Sequence, residues 1–264
     1  MTSLVERARI KYHEDGLKSF LRSSASFIHS QSKLYIDLLK NKLLAEEYKY
    51  RGVQIDFESL DPVVQRSIAN GRYEAGAIKN IDRYLRPDLD VIELGGGIGI
   101  VSCYINDFLS SDSAQVVLEP DPRVVDELKR NSTENQADFD IIETAYSPDG
   151  NSVSLTLDGP FWESSTIEDG ARNVTVSGIS IEEIIDRFDI SNFILITNTE
   201  GAEYPLVHSE MEILKKQCEI MMVGFHNVDE YSMDEAISEI ERNGFESVGS
   251  RGNKKYVFKK APQD

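Results

Sequence analysis

Cysteine is nearly absent from this 264-residue chain: Cys103 and Cys218 stand far apart in apolar surroundings. That excludes a disulfide framework and a thiolate zinc site, and predicts buried free thiols. Basic charge is also short, with 28 Lys and Arg against 46 Asp and Glu and a formal net charge of −18. A field of that sign repels phosphate backbones, so no nucleic-acid partner is expected. The C-terminal cluster of Arg251, Lys254, Lys255, Lys259 and Lys260 reads as a solvated edge strand. The acidity serves either solubility or a high-salt host, where self-repulsion is screened. Long apolar runs are missing as well. The longest, Val91 to Ile105, is broken by Glu93 and by glycines, so no segment is expected to span a bilayer. Met1 to Asp15 alternates charges without an apolar stretch, which predicts no secretory signal and a cytoplasmic protein. No His/Asp cluster has recognisable metal-ligand spacing, so no metal is expected. Composition sets no oligomeric state.

What is present is an ordinary globular balance, 40% hydrophobic and 28% charged, in a length suited to one large α/β domain with a helical extension. Residues 1 to about 50 read as helical, with Leu34, Leu38, Leu39, Leu43 and Leu44 at helical spacing. The expected division is an N-terminal helical extension or cap over 1–72 and a catalytic domain over 73–264. Val53, Ile55 and Phe57 alternate as a short strand, and a helix follows from about Glu74 to Leu85. From Asp90 onward, strands and helices alternate. Strands are predicted at Asp90–Leu94, Gln115–Glu119, Asp140–Thr144, Phe193–Thr197 and Glu219–Phe225. Helices are predicted at Gly99–Phe108, Pro122–Asn131 with Asp121 as its N-cap, from Ser180 to Phe188, at Pro205–Gln217, and from Ser232 to Asn243–Gly244. Ser152–Leu157 and Val174–Val176 read as an inserted hairpin or extra strands, and Phe245–Val248 with Tyr256–Lys260 as a final antiparallel pair. Such alternation predicts an α/β fold, a Rossmann-like sheet, mostly parallel with an antiparallel C-terminal strand.

The central motif is Glu93-Leu94-Gly95-Gly96-Gly97-Ile98-Gly99, after one predicted strand and before a helix. Gly95, Gly97 and Gly99 let the backbone turn sharply and approach a ligand. In open α/β sheets that position is the ligand crevice. Counted from Gly95, a dinucleotide loop needs glycine at position 100, where Ile100 stands. An acid at the loop entrance, Glu93, disfavours pyrophosphate and suits a cationic sulfonium amino acid. Glu119 ends the next strand, where a carboxylate can accept hydrogen bonds from both hydroxyls of a ribose. Together these residues point to S-adenosyl-L-methionine (SAM) as cofactor, and Ile100 argues against a nicotinamide oxidoreductase.

At these residues the chain resembles the FkbM family of SAM-dependent methyltransferases. The resemblance runs from about Tyr73 to Lys260. It rests on Tyr73-Glu74, the Glu93–Gly99 loop, Leu118-Glu119-Pro120-Asp121-Pro122, Leu128-Lys129-Arg130-Asn131 and Asn135. It continues through Ala145, Ile179–Ile185, Thr199-Glu200-Gly201-Ala202-Glu203 and His226. It implies a Rossmann-like methyltransferase domain with Glu93, Gly95, Gly97, Gly99, Glu119 and Ala145 at the cofactor. It further implies O-methylation of a hydroxyl on a sugar, glycan or other small molecule. Two motifs depart from the family pattern, at three positions. Ile196 and Asn198 replace a Lys and an Asp, and Gly224 stands where an acid often precedes the histidine. Asn198 can orient a hydroxyl but cannot take its proton, which keeps open the alternative of a SAM-binding protein with weakened or lost catalysis.

Methyl transfer to an alcohol needs alignment, exclusion of water and a base. The candidates are His226, at the end of an apolar strand and near its ordinary pKa suited to neutral pH, and Glu200 and Glu203, which open a helix where they equally complement its dipole. Asn198 is placed to face the methyl group. Phe161 and Trp162 either stack on a sugar ring or anchor the hairpin. No Pro-Pro-Tyr motif follows the Phe193–Thr197 strand and no Pro-Cys loop occurs, so nucleobase methylation is disfavoured.

Overall fold

The structure, a computed structural model, describes residues 48–161, 164–166, 172–251 and 254–262. The helical reading of residues 1 to about 50 therefore lies outside the described residues, save Tyr48 to Tyr50, which are extended, and so does Trp162. The chain separates into two compact units, one of residues 1–48 and 56–73, the other of 49–55 and 74–264. In the first, helix α1 (Pro62–Ala69) starts with Asp61 as N-cap, its carboxylate accepting from Val63 N at 2.7 Å, and with Pro62 in the first turn.

The second unit is built on a seven-stranded sheet. Strands β1 (Tyr48–Tyr50) and β2 (Val53–Ile55) form a separate two-stranded ladder at its start. Then follow α2 (Ala75–Tyr84), β3 (Asp90–Leu94), α3 (Ile100–Asn106), β4 (Gln115–Leu118), α4 (Val125–Glu134) and β5 (Asp140–Ile142). Four short strands intervene: β6 (Ala145–Tyr146), β7 (Val153–Thr156), β8 (Asn173–Val176) and β9 (Gly178–Ile179). The chain ends with α5 (Ile181–Phe188), β10 (Phe193–Thr197), α6 (Glu203–Gln217), β11 (Cys218–Gly224), α7 (Met233–Arg242), β12 (Phe245–Arg251) and β13 (Lys255–Lys260). The sheet order is β12-β13-β11-β10-β3-β4-β5, parallel from β11 to β5, with β13 antiparallel to both of its neighbours.

The strands are predominantly apolar because both faces are covered, with Glu93 in β3 and Gln115 in β4 as buried exceptions. Val91, Ile194, Ile196, Ile220 and Met222 face one side, where Ile81, Tyr84 and Ile105 of α2 and α3 pack. Ile92, Leu94, Phe193, Leu195, Met221 and Val223 face the other, against Ile184, Leu206, Val207, Leu214 and Ile240 of α5, α6 and α7. Ser180 and Glu183 form the expected capping box, and the Ser232 hydroxyl accepts from Glu235 N to start α7. Asn135 reaches back to β2, exchanging hydrogen bonds with the backbone of Gln54 at 2.7 and 2.9 Å.

Two local expectations change. The helix after Pro122 starts at Val125, and Asp121 does not cap it. The Asp121 carboxylate instead accepts from Arg123 N at 2.9 Å and pairs with the Arg123 guanidinium, so residues 121–124 form a turn ahead of the helix. The β7–β8 hairpin is antiparallel as predicted, but the parallel β6–β9 pairing has no counterpart in the sequence reading, since two-residue strands carry no periodic signal.

Candidate active site

Strand order reverses between β3 and β10. The chain proceeds β3, β4, β5 to one side and β10, β11 to the other, and a crevice opens at such a switch point at the carboxyl ends of the strands. Four predicted positions follow one another along that edge: Glu119 after β4, the glycine loop after β3, Asn198 after β10 and His226 after β11.

The glycine loop is held from both sides. Gly95 has φ 91°, and a Cβ there would lie 2.8 Å from the carbonyl oxygen of Asn198. Gly99 has φ 80° and abuts Leu128 of α4, with 2.5 Å to its Cδ1 from an added Cβ. Neither place tolerates a side chain, so the loop lies tight against the next strand and the next helix. Over Gly97 an added Cβ would meet Phe161 at 3.6 Å. Phe161 thus covers the cofactor loop.

Glu119 is buried. Its two oxygens accept from Gly97 N at 2.6 Å and Asp121 N at 2.8 Å. Burial pushes its carboxyl up to about 7 against the pull of these two backbone donors. Glu93 is 3% exposed, and its Oε2 has no hydrogen-bond partner among the described residues. Burial raises its carboxyl to about 8, while Ser102 and Gln115 pull it down and the Glu119 charge adds to the rise. A buried acceptor oxygen without a donor is costly unless a ligand supplies one. Ala145 follows β5, the strand beside β4. It lies in β6, and its N–H donates to Ser177 O at 3.0 Å.

The other end of the crevice is built around His226. Glu203, 0% exposed at the start of α6, accepts from His226 N at 2.6 Å and lies 3.1 Å from His226 Nδ1. Its second oxygen accepts from Gly201 N at 3.0 Å and Thr199 Oγ1 at 3.2 Å. The opposite ring nitrogen, Nε2, meets Glu200 at 3.0 Å. Burial works against charge on the imidazole, but hydrogen bonds to Glu200 and Glu203 outweigh it and lift the pKa to about 9. The ring is therefore charged at neutral pH, which corrects the expectation of a base near its ordinary value. Glu200 has φ 47°, a left-handed conformation that costs a side-chain-bearing residue on the order of 1 kcal/mol and persists where neighbours impose it. Asn198 sits between the two halves. Its N–H donates to Leu94 O at 3.2 Å, and its Oδ1 lies 2.6 Å from the place a Cβ on Gly224 would take. The amide thus fills the space that a side chain at 224 would need, and the two departures from the family pattern are one spatial event.

Residues 93–247, more than half of the chain, match the family described as Methyltransferase FkbM domain. The chain belongs to the FkbM methyltransferase family. Its cofactor is S-adenosyl-L-methionine, and it is a SAM-dependent methyltransferase by family. No curated protein matches it. Among solved structures, it is similar to a methyltransferase from Pyrococcus furiosus, at 12% identity over 88% of this chain and 100% of that one, with a TM-score of 0.45. Fibrillarin from Aeropyrum pernix with natively bound SAM aligns at 10% identity over 70% of this chain and 71% of that one, with a TM-score of 0.40. Magnesium protoporphyrin IX methyltransferase from Synechocystis PCC 6803 with bound SAM aligns at 12% identity over 76% and 84%, with a TM-score of 0.37. Likenesses this distant say nothing about the acceptor. Among the described residues, no helix is long and apolar enough to cross a membrane.

The residues present fit the cofactor. Glu119 keeps lone pairs free for hydroxyl donors after its two backbone bonds, and Glu93 offers the partnerless oxygen that a cationic amino acid moiety would satisfy. Two features escaped the sequence reading: the Asp121–Arg123 clamp and the position of Phe161 over Gly97. Arg123 lies in a turn that looks like the first turn of a helix, and no spacing distinguishes it from a solvated charge.

Proposed function

We propose that this FkbM protein transfers the methyl group to a hydroxyl oxygen of a sugar, glycan or other small molecule. Glu93, Gly95, Gly97, Gly99 and Glu119 hold the cofactor in this reading, with the Ala145 segment flanking it. His226, Glu200 and Asn198 form the acceptor end. The observation that carries it is the Glu203–His226–Glu200 alignment, with a buried carboxylate at Nδ1 and a half-exposed one at Nε2.

Bound SAM supplies a methyl group already activated by its sulfonium. The chain's own task is to orient the acceptor and receive its proton. Glu203 accepts at Nδ1 and fixes the tautomer, so Nε2 is the nitrogen that works. An acceptor hydroxyl that takes the place of Glu200 at Nε2 removes one of the two carboxylates holding the imidazolium. The pKa of His226 then falls toward its ordinary range, so that Nε2 can give up its proton with the departing Glu200 and, once neutral, accept the hydroxyl proton as the new C–O bond forms and the methyl–sulfur bond breaks. Asn198 can orient that hydroxyl by its side-chain amide.

A second reading, a SAM-binding protein with weakened or lost turnover, is favoured by the same charged His226 and by an amide rather than an acid at 198. Methyl transfer decides between them. Purified protein with SAM and a panel of monosaccharides, oligosaccharides and aliphatic alcohols is expected to yield O-methyl products. His226→Gln is expected to cut the rate at least about 100-fold, in the range of general-base catalysis, while binding S-adenosylhomocysteine as the parent does. N-methyl or carboxyl-methyl products, or a rate indifferent to His226, would sink the proposal. S-adenosylhomocysteine binding without turnover on any acceptor class supports the second reading.

A further inference from the structure

Arg123 makes more side-chain hydrogen bonds than a turn requires. Its Nε and Nη2 engage the Asp121 carboxylate, the closest at 2.6 Å. Its Nη1 donates to the carbonyls of Leu157 and Gly159 at 3.2 and 2.9 Å, and Nη2 to Ser164 Oγ at 2.7 Å. Ser164 Oγ in turn donates to Asp121 Oδ2 at 2.7 Å. Asp121 is buried, and although burial opposes its charge, Arg123 and Ser164 hold its carboxyl below the usual range.

On one side this clamp touches the cofactor carboxylate, because Asp121 N donates to Glu119. On the other it continues to the acceptor end. Ser165 O accepts from Thr156 N at 2.8 Å, and Ser165 Oγ donates to the carbonyl of Glu200 at 2.9 Å. Glu200 is the residue held at φ 47° with its carboxylate on His226. A guanidinium with all its donors in one plane suits such a junction, since it meets a carboxylate and backbone carbonyls at once, which lysine cannot.

We infer that Arg123 is a positioning residue that ties the cofactor end of the crevice, through Ser164 and Ser165, to the strained Glu200 at the acceptor end. Occupancy of the cofactor site is thereby felt at Glu200, which is coupling between two sites in the thermodynamic sense. The inference rests on the proposed acceptor role of Glu200 and His226.

The measurement is hydrogen exchange of the full chain with and without S-adenosylhomocysteine. In the parent protein, the ligand slows exchange in residues 93–99 and at least fivefold in residues 198–203. Ser165→Ala removes one hydroxyl and little else. It is expected to keep the first effect and lose most of the second, and Ser165→Thr to restore it. Arg123→Met is expected to behave as Ser165→Ala does, and should it fail to fold, the serine pair carries the test alone. Equal ligand-dependent slowing at 198–203 in every variant overturns the inference, because the Gly95–Asn198 contact would then suffice. So does a loss of protection at 198–203 that is the same with and without ligand, since that is the mark of a merely structural bond. Absence of any slowing at 93–99 in the parent refutes the cofactor site itself and is distinguishable by its place in the chain.

Discussion

Replacing His226 by glutamine tests the charge arrangement at the acceptor end most directly. The imidazole is lifted from an ordinary 6.5 to about 9 by Glu200 and Glu203, against its own burial. Each pH unit of that interval corresponds to about 1.4 kcal/mol, so the protonated ring stabilises the fold by up to about 3 kcal/mol. The figure is an upper end, because Glu200 is 33% exposed and water screens its share. The folded chain holds this proton more tightly than the unfolded chain. The contribution is therefore complete below about 6.5 and is lost as pH rises through about 9. Urea unfolding of the parent and of His226→Gln, from pH 6 to 10, is expected to show a stability difference that shrinks by about 1 to 3 kcal/mol over that window. Glu93 and Glu119 also have raised carboxyls, and both make the folded state less stable with rising pH. They are present in both proteins and cancel in the difference. Titration of the imidazole by NMR gives the same quantity independently. A flat difference between the two proteins, or an imidazole titrating near 6.5, refutes the reasoning.

Cofactor affinity should follow the ionisation of Glu119. With its carboxyl near 7, about a tenth is ionised at pH 6 and about nine tenths at pH 8. Ribose hydroxyls donate to the ionised form, so calorimetry with S-adenosylhomocysteine is expected to show at least roughly tenfold tighter binding at pH 8, with the Glu119 share of about tenfold gone in Glu119→Gln and the rest following Glu93, whose carboxyl is raised to about 8. An affinity independent of pH would mean that Glu119 does not receive those hydroxyls. The Asn198–Gly224 contact predicts non-additive stability: Gly224→Ala alone is destabilising, and much of its cost disappears when Asn198→Ala vacates the space. A double-mutant cycle by urea unfolding should give a coupling of at least about 1 kcal/mol, and simple additivity would show that the two positions are independent.

The sequence by itself determined the strand–helix alternation, the parallel sheet and the glycine loop at its carboxyl edge. These follow from local rules. Strands covered on both faces are predominantly apolar, as Phe193–Ile196 is, and the start of the helix at Ile181 is marked by its cap, Ser180. Glu119 was legible for the same reason, since it ends a strand whose place in the motif is fixed. Tertiary structure alone decided the rest. Whether Glu203 is a dipole charge or a partner of His226 depends on β11 lying beside β10, which brings together residues separated by a whole helix. The pKa of His226 is set by two carboxylates and by burial, none of which its neighbours in the chain reveal. Arg123 looks like any solvated arginine until the carbonyls of Leu157 and Gly159 and the Ser164 hydroxyl come within its reach. Asn198 and Gly224 appear as two unrelated departures in the sequence, and become one contact only where adjacent parallel strands end side by side.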